Sequence, residues 1–122
     1  MTSKNEKIKE ESNFLRGDLA ESLQNRITGS ISDTSHNLIK FHGIYEQDDR
    51  DRRNERAQKK LENLYSFMIR LRIPGGRVSA KQWVGIDDIA NRNSTKVIKI
   101  TTRQTVQLHG VYKSKLKPTV QD

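Results

Sequence analysis

Two runs in the second half of this 122-residue chain alternate apolar and polar residues with a period of two, which restricts them to half-buried strands. In Val97-Ile98-Lys99-Ile100-Thr101-Thr102-Arg103-Gln104-Thr105-Val106-Gln107-Leu108-His109, the even positions Ile98, Ile100, Val106 and Leu108 are apolar and every odd position from Lys99 to His109 is polar. In the run from Ser66 to Ile73, Phe67, Ile69, Leu71 and Ile73 share one face, and Arg70 and Arg72 fall on the other. Each run therefore predicts a greasy side and a wet side, the wet side of the later run being Lys99, Thr101, Arg103, Thr105, Gln107 and His109. A turn near Thr102 to Gln104 would divide that run into two strands and interrupt the parity. Arg, Lys and Thr are ordinary on the solvated face of a sheet, so alternation alone names no ligand.

Charge narrows the reading. Up to Tyr45 the chain carries six Lys/Arg and six Asp/Glu, and Glu46 to Glu62 again carries six of each. From Asn63 onward eleven Lys/Arg face only Asp87, Asp88 and Asp122, so the whole formal charge of +8 sits on the half with the alternating runs. Two cationic strand faces in one sheet would pool their charge into a surface suited to an anion.

With 32% hydrophobic and 31% charged residues, the chain is poor in core-formers, and its apolar residues cluster from Leu64 to Val111. The first sixty residues read as an arm that needs a partner surface. No stretch has the length of a membrane span and the N-terminus lacks the apolar segment of a secretion signal, so a cytoplasmic location is expected. The absence of cysteine excludes disulfides, thiolate catalysis and Cys-ligated metal within these residues.

Along the chain, composition predicts a short helix within residues 5–26, with Leu15, Leu19 and Leu23 in step and Asp18 and Glu21 as a capping box. A loop is expected from Thr28 to Asn37 and an extended segment from Leu38 to Tyr45. The run Glu46 to Glu62 suits a solvated helix with an Asp49–Arg53 pair. Pro74-Gly75-Gly76 predicts a turn. Ser79 with Gln82 predicts a capped helix to about Asn91, burying Trp83, Ile86, Ile89 and Ala90. The order is strand, helix, strand, strand. Residues 111–122 show no closing element, so the α+β layer looks cut short.

No P-loop, dinucleotide fingerprint or zinc-protease helix occurs, and His36, His42 and His109 lack metal-ligand spacing. Asp87 and Asp88 are adjacent on the expected helix and read as surface. A small basic nucleic-acid-binding module fits the sequence pI near 9.9, but the polar strand face carries no aromatic on which a base could stack.

A further pattern lies in longer motifs: Glu11-Ser12-Asn13-Phe14-Leu15-Arg16-Gly17, Lys40-Phe41-His42-Gly43-Ile44-Tyr45-Glu46-Gln47-Asp48-Asp49-Arg50-Asp51, Glu55-Arg56-Ala57, Arg70-Leu71-Arg72-Ile73-Pro74-Gly75-Gly76 and Thr101-Thr102-Arg103-Gln104-Thr105-Val106-Gln107-Leu108-His109-Gly110. In this order they closely resemble the start of the sirohaem subunit of the NADPH-dependent sulfite reductases, from Glu10 to Val120. The acidic-basic run with Glu55-Arg56-Ala57 and Lys60-Leu61-Glu62 is more similar to this haemoprotein family than to the ferredoxin-dependent sulfite and nitrite reductases, which share the other motifs.

The resemblance implies an α+β fold: an incomplete ferredoxin-like half-domain over residues 63–122, preceded by a helical and extended N-terminal arm over 1–62. It implies a reaction that takes sulfite to sulfide with six electrons from NADPH, passed through a flavoprotein carrying FAD and FMN, in sulfate assimilation and cysteine biosynthesis. Arg70 matches the arginine that binds sulfite and supports its chemistry. Lys99, Thr101, Thr102, Arg103, Thr105, Gln107 and His109 match the sirohaem-contacting strand pair, and Gln47 is placed near the ring edge. Lys99 stands where arginine is usual, and Val106 replaces a common Phe. The 4Fe-4S cluster and its cysteines belong to the full-length subunit and have no counterpart here, so this piece is expected to be inactive alone and to need the rest of the haemoprotein. A ferredoxin-dependent sulfite or nitrite reductase fragment is the alternative within the family.

Overall fold

In the computed structural model, which describes residues 2–122, Ser3 starts the first helix by accepting a hydrogen bond from the Glu6 N–H. The chain divides into two units, one ending at Tyr65 and the other running from Ser66 to Asp122.

The first unit contains α1 (Lys4–Glu10), α2 (Leu19–Gln24), α3 (Asp33–Leu38), β1 (Ile44–Asp48) and α4 (Arg53–Gln58). The helix expected within residues 5–26 is interrupted, because Asn13, Phe14 and Leu15 all take left-handed φ values of 49, 60 and 65°. The capping box at Asp18 does not form. The Asp18 carboxylate instead accepts from the hydroxyls of Ser32 and Ser35 at 2.6 Å each. Those hydrogen bonds, Ser32 first and then Ser35, hold its pKa below the usual carboxylate range. They also fix the segment expected to be a loop, where Ser32 caps α3 by accepting from the Ser35 N–H at 3.1 Å.

The segment expected to be extended from Leu38 opens as a 3-10 turn, Ile39–His42, which buries Leu38 and Ile39 before Gly43 releases the chain into β1. The extended conformation expected there begins only at Ile44, after the adjacent apolar side chains of Leu38 and Ile39 have been buried together. The charge-dense run does form a helix, but Arg53 pairs with Asp48 at 2.7 and 2.9 Å, not with Asp49. Asp49 accepts from the backbone N–H groups of Asp51 and Arg52.

The second unit is built on β2 (Tyr65–Arg70), α5 (Ala80–Asn93), β3 (Ile98–Ile100), β4 (Val106–Val111) and α6 (Lys113–Gln121). The expected strand, helix, strand, strand order is observed. β2, β4 and β3 lie side by side in that order, and both pairings are antiparallel. Both halves of the Ser79–Gln82 capping box are present. Trp83, expected to be buried, is exposed, because the inward stripe of α5 starts one turn later and runs through Ile86, Ile89, Ala90 and Asn93. α6 supplies the closing element that the sequence seemed to lack, with Leu116 buried and Pro118 inside the helix.

Ile69, Leu108 and Ile98 form one transverse apolar row, and Val106 faces Ile100 beside it. Phe67, Leu108 and Val111 are almost fully buried. From Ile69↔Leu108 to Phe67↔Val111 the register shifts, so β4 carries an extra residue, accommodated where Gly110 takes φ +67°. This bulge sends Val111 inward although its odd number would have placed it on the wet face.

Candidate anion-binding face

Directly opposed residues of an antiparallel pair project from the same face of the sheet. Arg70 on β2 opposes Gln107 on β4, and Gln107 opposes Lys99 on β3. The three side chains therefore form a row across three strands, on the face opposite Ile69, Leu108 and Ile98. His109, the first of the two bulge residues, has its ring Nε2 3.1 Å from the Gln107 amide and so shares that face.

Arg70, Gln107 and His109 are linked by hydrogen bonds. With the Gln107 amide oriented to suit its neighbours, Arg70 donates to the Gln107 oxygen from Nη2 at 3.1 Å and from Nε at 3.3 Å. In the same orientation the Gln107 nitrogen donates to His109 Nε2 at 3.1 Å. The opposite orientation would set the amide nitrogen against guanidinium donors, which is why this one is assigned.

Burial, and then the neighbouring Lys99 ammonium, hold the His109 pKa below the ordinary imidazole value. The folded chain thus binds fewer protons at this site than the unfolded chain as pH falls through the ordinary value near 6.5. The stability tied to neutral His109 is present above that pH and is lost on acidification. Replacing Lys99 by Gln is expected to move the His109 titration midpoint upward, as followed by the imidazole Cε1–H resonance. An unchanged midpoint would show that Lys99 does not act on this ring.

Residues 101–105 form the hairpin loop between β3 and β4, closed by Thr101 N–H donating to the Thr105 carbonyl at 2.9 Å. The turn in this run interrupts strand parity, so Thr101, Thr102, Arg103 and Thr105 are loop residues and do not continue the Lys99–Gln107 face as strand positions. Thr102 and Arg103 are exposed, and Thr101 is partly so. Thr105 is buried, its hydroxyl donating to the Leu71 carbonyl, while the Leu71 N–H donates to the Val106 carbonyl at 3.0 Å. Gly76, at φ +68°, lies so close to this loop that an added Cβ would come within 3.0 Å of Gln104 Cβ. The base of Arg103's loop is therefore fastened to the exit of β2, the strand that carries Arg70.

Gln47 is an exposed residue of β1, in the first unit. The bulge and the inward Thr105 were missed by sequence reasoning, although Gly110 beside the alternating run was a usable signal for the bulge. Among the described residues, no three His, Asp or Glu side chains gather as a metal site, and no helix is long and apolar enough to cross a membrane.

The family model of the nitrite/sulfite reductase ferredoxin-like half domain matches residues 59–122, which contain the cationic row and the braced hairpin. The chain belongs to this family. Across 115 residues, or 94% of the chain, it is 61% identical to the sulfite reductase [NADPH] hemoprotein beta-component of Leptospira biflexa, covering 21% of that protein. The same component from Oceanobacillus iheyensis is 57% identical over 95% of the chain and 20% of its own length. That from Shewanella baltica is 55% identical over 97% of the chain and 21% of its own length. The chain thus spans about a fifth of the length of these curated relatives. Within the nitrite/sulfite reductase half domain, the cationic row is carried on strands whose other face forms the core.

Proposed function

We propose that this chain forms part of the sirohaem and sulfite site of an NADPH-dependent, cytoplasmic sulfite reductase haemoprotein. The observation that carries this reading is the row of Arg70, Gln107 and Lys99 across three strands of a half domain of this family.

The donor set fits the group. Sirohaem bears several carboxylates, and sulfite is an oxyanion. Guanidinium gives both of them paired, charge-assisted hydrogen bonds and stays protonated. In this reading Arg70 binds sulfite and stabilises charge on its oxygens. Lys99, Thr101, Thr102, Arg103, Gln107 and His109 hold the carboxylates of sirohaem. Thr105, whose hydroxyl is engaged with Leu71, serves that contact by fixing the loop that presents Arg103.

Bound sirohaem, with the 4Fe-4S cluster, supplies the redox chemistry, while this chain binds, orients and provides electrostatics. A chain without cysteine cannot ligate the cluster through thiolates, so the remainder of the haemoprotein provides the ligands and a flavoprotein subunit provides electrons. The 122 residues alone are accordingly inactive.

Arg103→Ala in a full-length haemoprotein carrying this sequence is expected to weaken sirohaem retention about 10- to 100-fold, the worth of a charged hydrogen bond. The Soret absorbance that remains after dialysis measures it. Sirohaem content equal to that of the parent would count against this assignment.

A further inference from the structure

We infer that Gln107 is a positioning residue which fixes both the guanidinium of Arg70 and the tautomer of His109, leaving the face to offer only hydrogen-bond donors to its ligand. Arginine has no acceptor, so the group that faces Arg70 Nη2 and Nε must be the Gln107 oxygen. That choice commits the Gln107 nitrogen, a donor only, to His109 Nε2. The Nε2 atom must then be an unprotonated acceptor, and the proton of the neutral ring resides on Nδ1.

Arg70 thus dictates, through one amide, the protonation pattern of a ring two positions further along β4. With Nδ1–H as its free polar group, His109 joins Arg70 and Lys99 in presenting donors. An acceptor-only ligand such as a carboxylate or sulfite matches all three. Protonating Nε2 would set its hydrogen against the Gln107 amide hydrogens. Relief by rotating the amide would turn its nitrogen toward the Arg70 donors in place of the oxygen, so the imidazolium and the guanidinium compete for one side chain. Arg70 on β2 and Lys99 on β3 both oppose Gln107, and burial, then the Lys99 charge, add to this opposition at His109. The catalytic meaning of the arrangement rests on the proposed sulfite and sirohaem role of this face, but the hydrogen-bond order does not.

The test is the ring-nitrogen pattern of His109 in the 15N-labelled 122-residue chain, read from long-range 1H–15N spectra at neutral pH. The proton is expected on Nδ1. Gln107→Leu is expected to transfer it largely to Nε2. Gln107→Glu, nearly isosteric and able to accept from both neighbours, is expected to raise the His109 midpoint by about 1–3 units. A parent His109 protonated on Nε2, a Leu variant with an unchanged tautomer, or a Glu variant with an unchanged midpoint would each overturn the inference. Failure of the functional proposal would register separately, as unaltered sirohaem retention in Arg103→Ala alongside an intact Nδ1–H pattern.

Discussion

Arg70→Ala, in a full-length haemoprotein carrying this sequence, is expected to lower kcat/KM for sulfite about 100-fold, the scale seen when one preorganised donor to a developing oxyanion is removed. The expectation rests on how the guanidinium is held. It sits at the end of β2, with both Nε and an Nη engaged by Gln107. Its orientation is therefore set before any ligand arrives, and little of its binding energy goes into ordering a long side chain. Arg70→Lys would keep the charge but lose the planar fork, so it is expected to recover only part of the loss. Steady-state kinetics with sirohaem content measured in parallel checks both. Loss of sirohaem in step with activity would reassign Arg70 from sulfite to the ring.

The second large effect is on stability. Gly110→Val is expected to cost about 2–5 kcal/mol, combining the left-handed backbone penalty of an L-residue with overpacking. At φ +67° an added Cβ would collide with Thr95 Cγ2, and the Thr95 N–H is itself bound to the His109 carbonyl at 3.1 Å. Thr95 thus crowds both residues of the bulge. The contributions separate in a pair of variants: Gly110→Ala carries backbone strain and collision, whereas Gly110→Ala with Thr95→Ala carries chiefly the strain of about 1–2 kcal/mol. Urea midpoints measure both, and equal midpoints for the two variants would show that Thr95 does not contribute.

The parts of this fold that were legible in the sequence are those where one local signal acts alone. Alternation identified β2, β3 and β4, although only β4 buries alternate residues: β2 also buries Met68, and Ile100 at the end of β3 is 79% exposed. The Ser79–Gln82 spacing located the start of α5 because both capping bonds are local. The row of Arg70, Gln107 and Lys99 followed partly from parity, but which residues lie opposite one another is a property of register, which no single strand encodes.

Other parts depended on partners remote in sequence. α3 was hidden because Ser32 and Ser35 read as loop formers until Asp18 supplied an acceptor for their hydroxyls. The Asn13–Leu15 interruption was hidden because Leu15, inside it, keeps four-residue step with Leu19 and Leu23. Thr105 looked like another wet-face residue, yet its hydroxyl satisfies a carbonyl on the far side of the β2 exit. α6 has an internal proline and a lysine-rich sequence, so its helical signal is weak, and Leu116 buried against the rest of the second unit outweighs it.

The bonds from Thr105 and Val106 to Leu71 have a mechanical consequence. The residue after Arg70 and the base of Arg103's loop are joined through backbone carbonyls, so the two arginines belong to one stiff frame and not to two independent arms. A negatively charged guest that draws one of them inward also loads the mount of the other, and the pair tightens or slackens together.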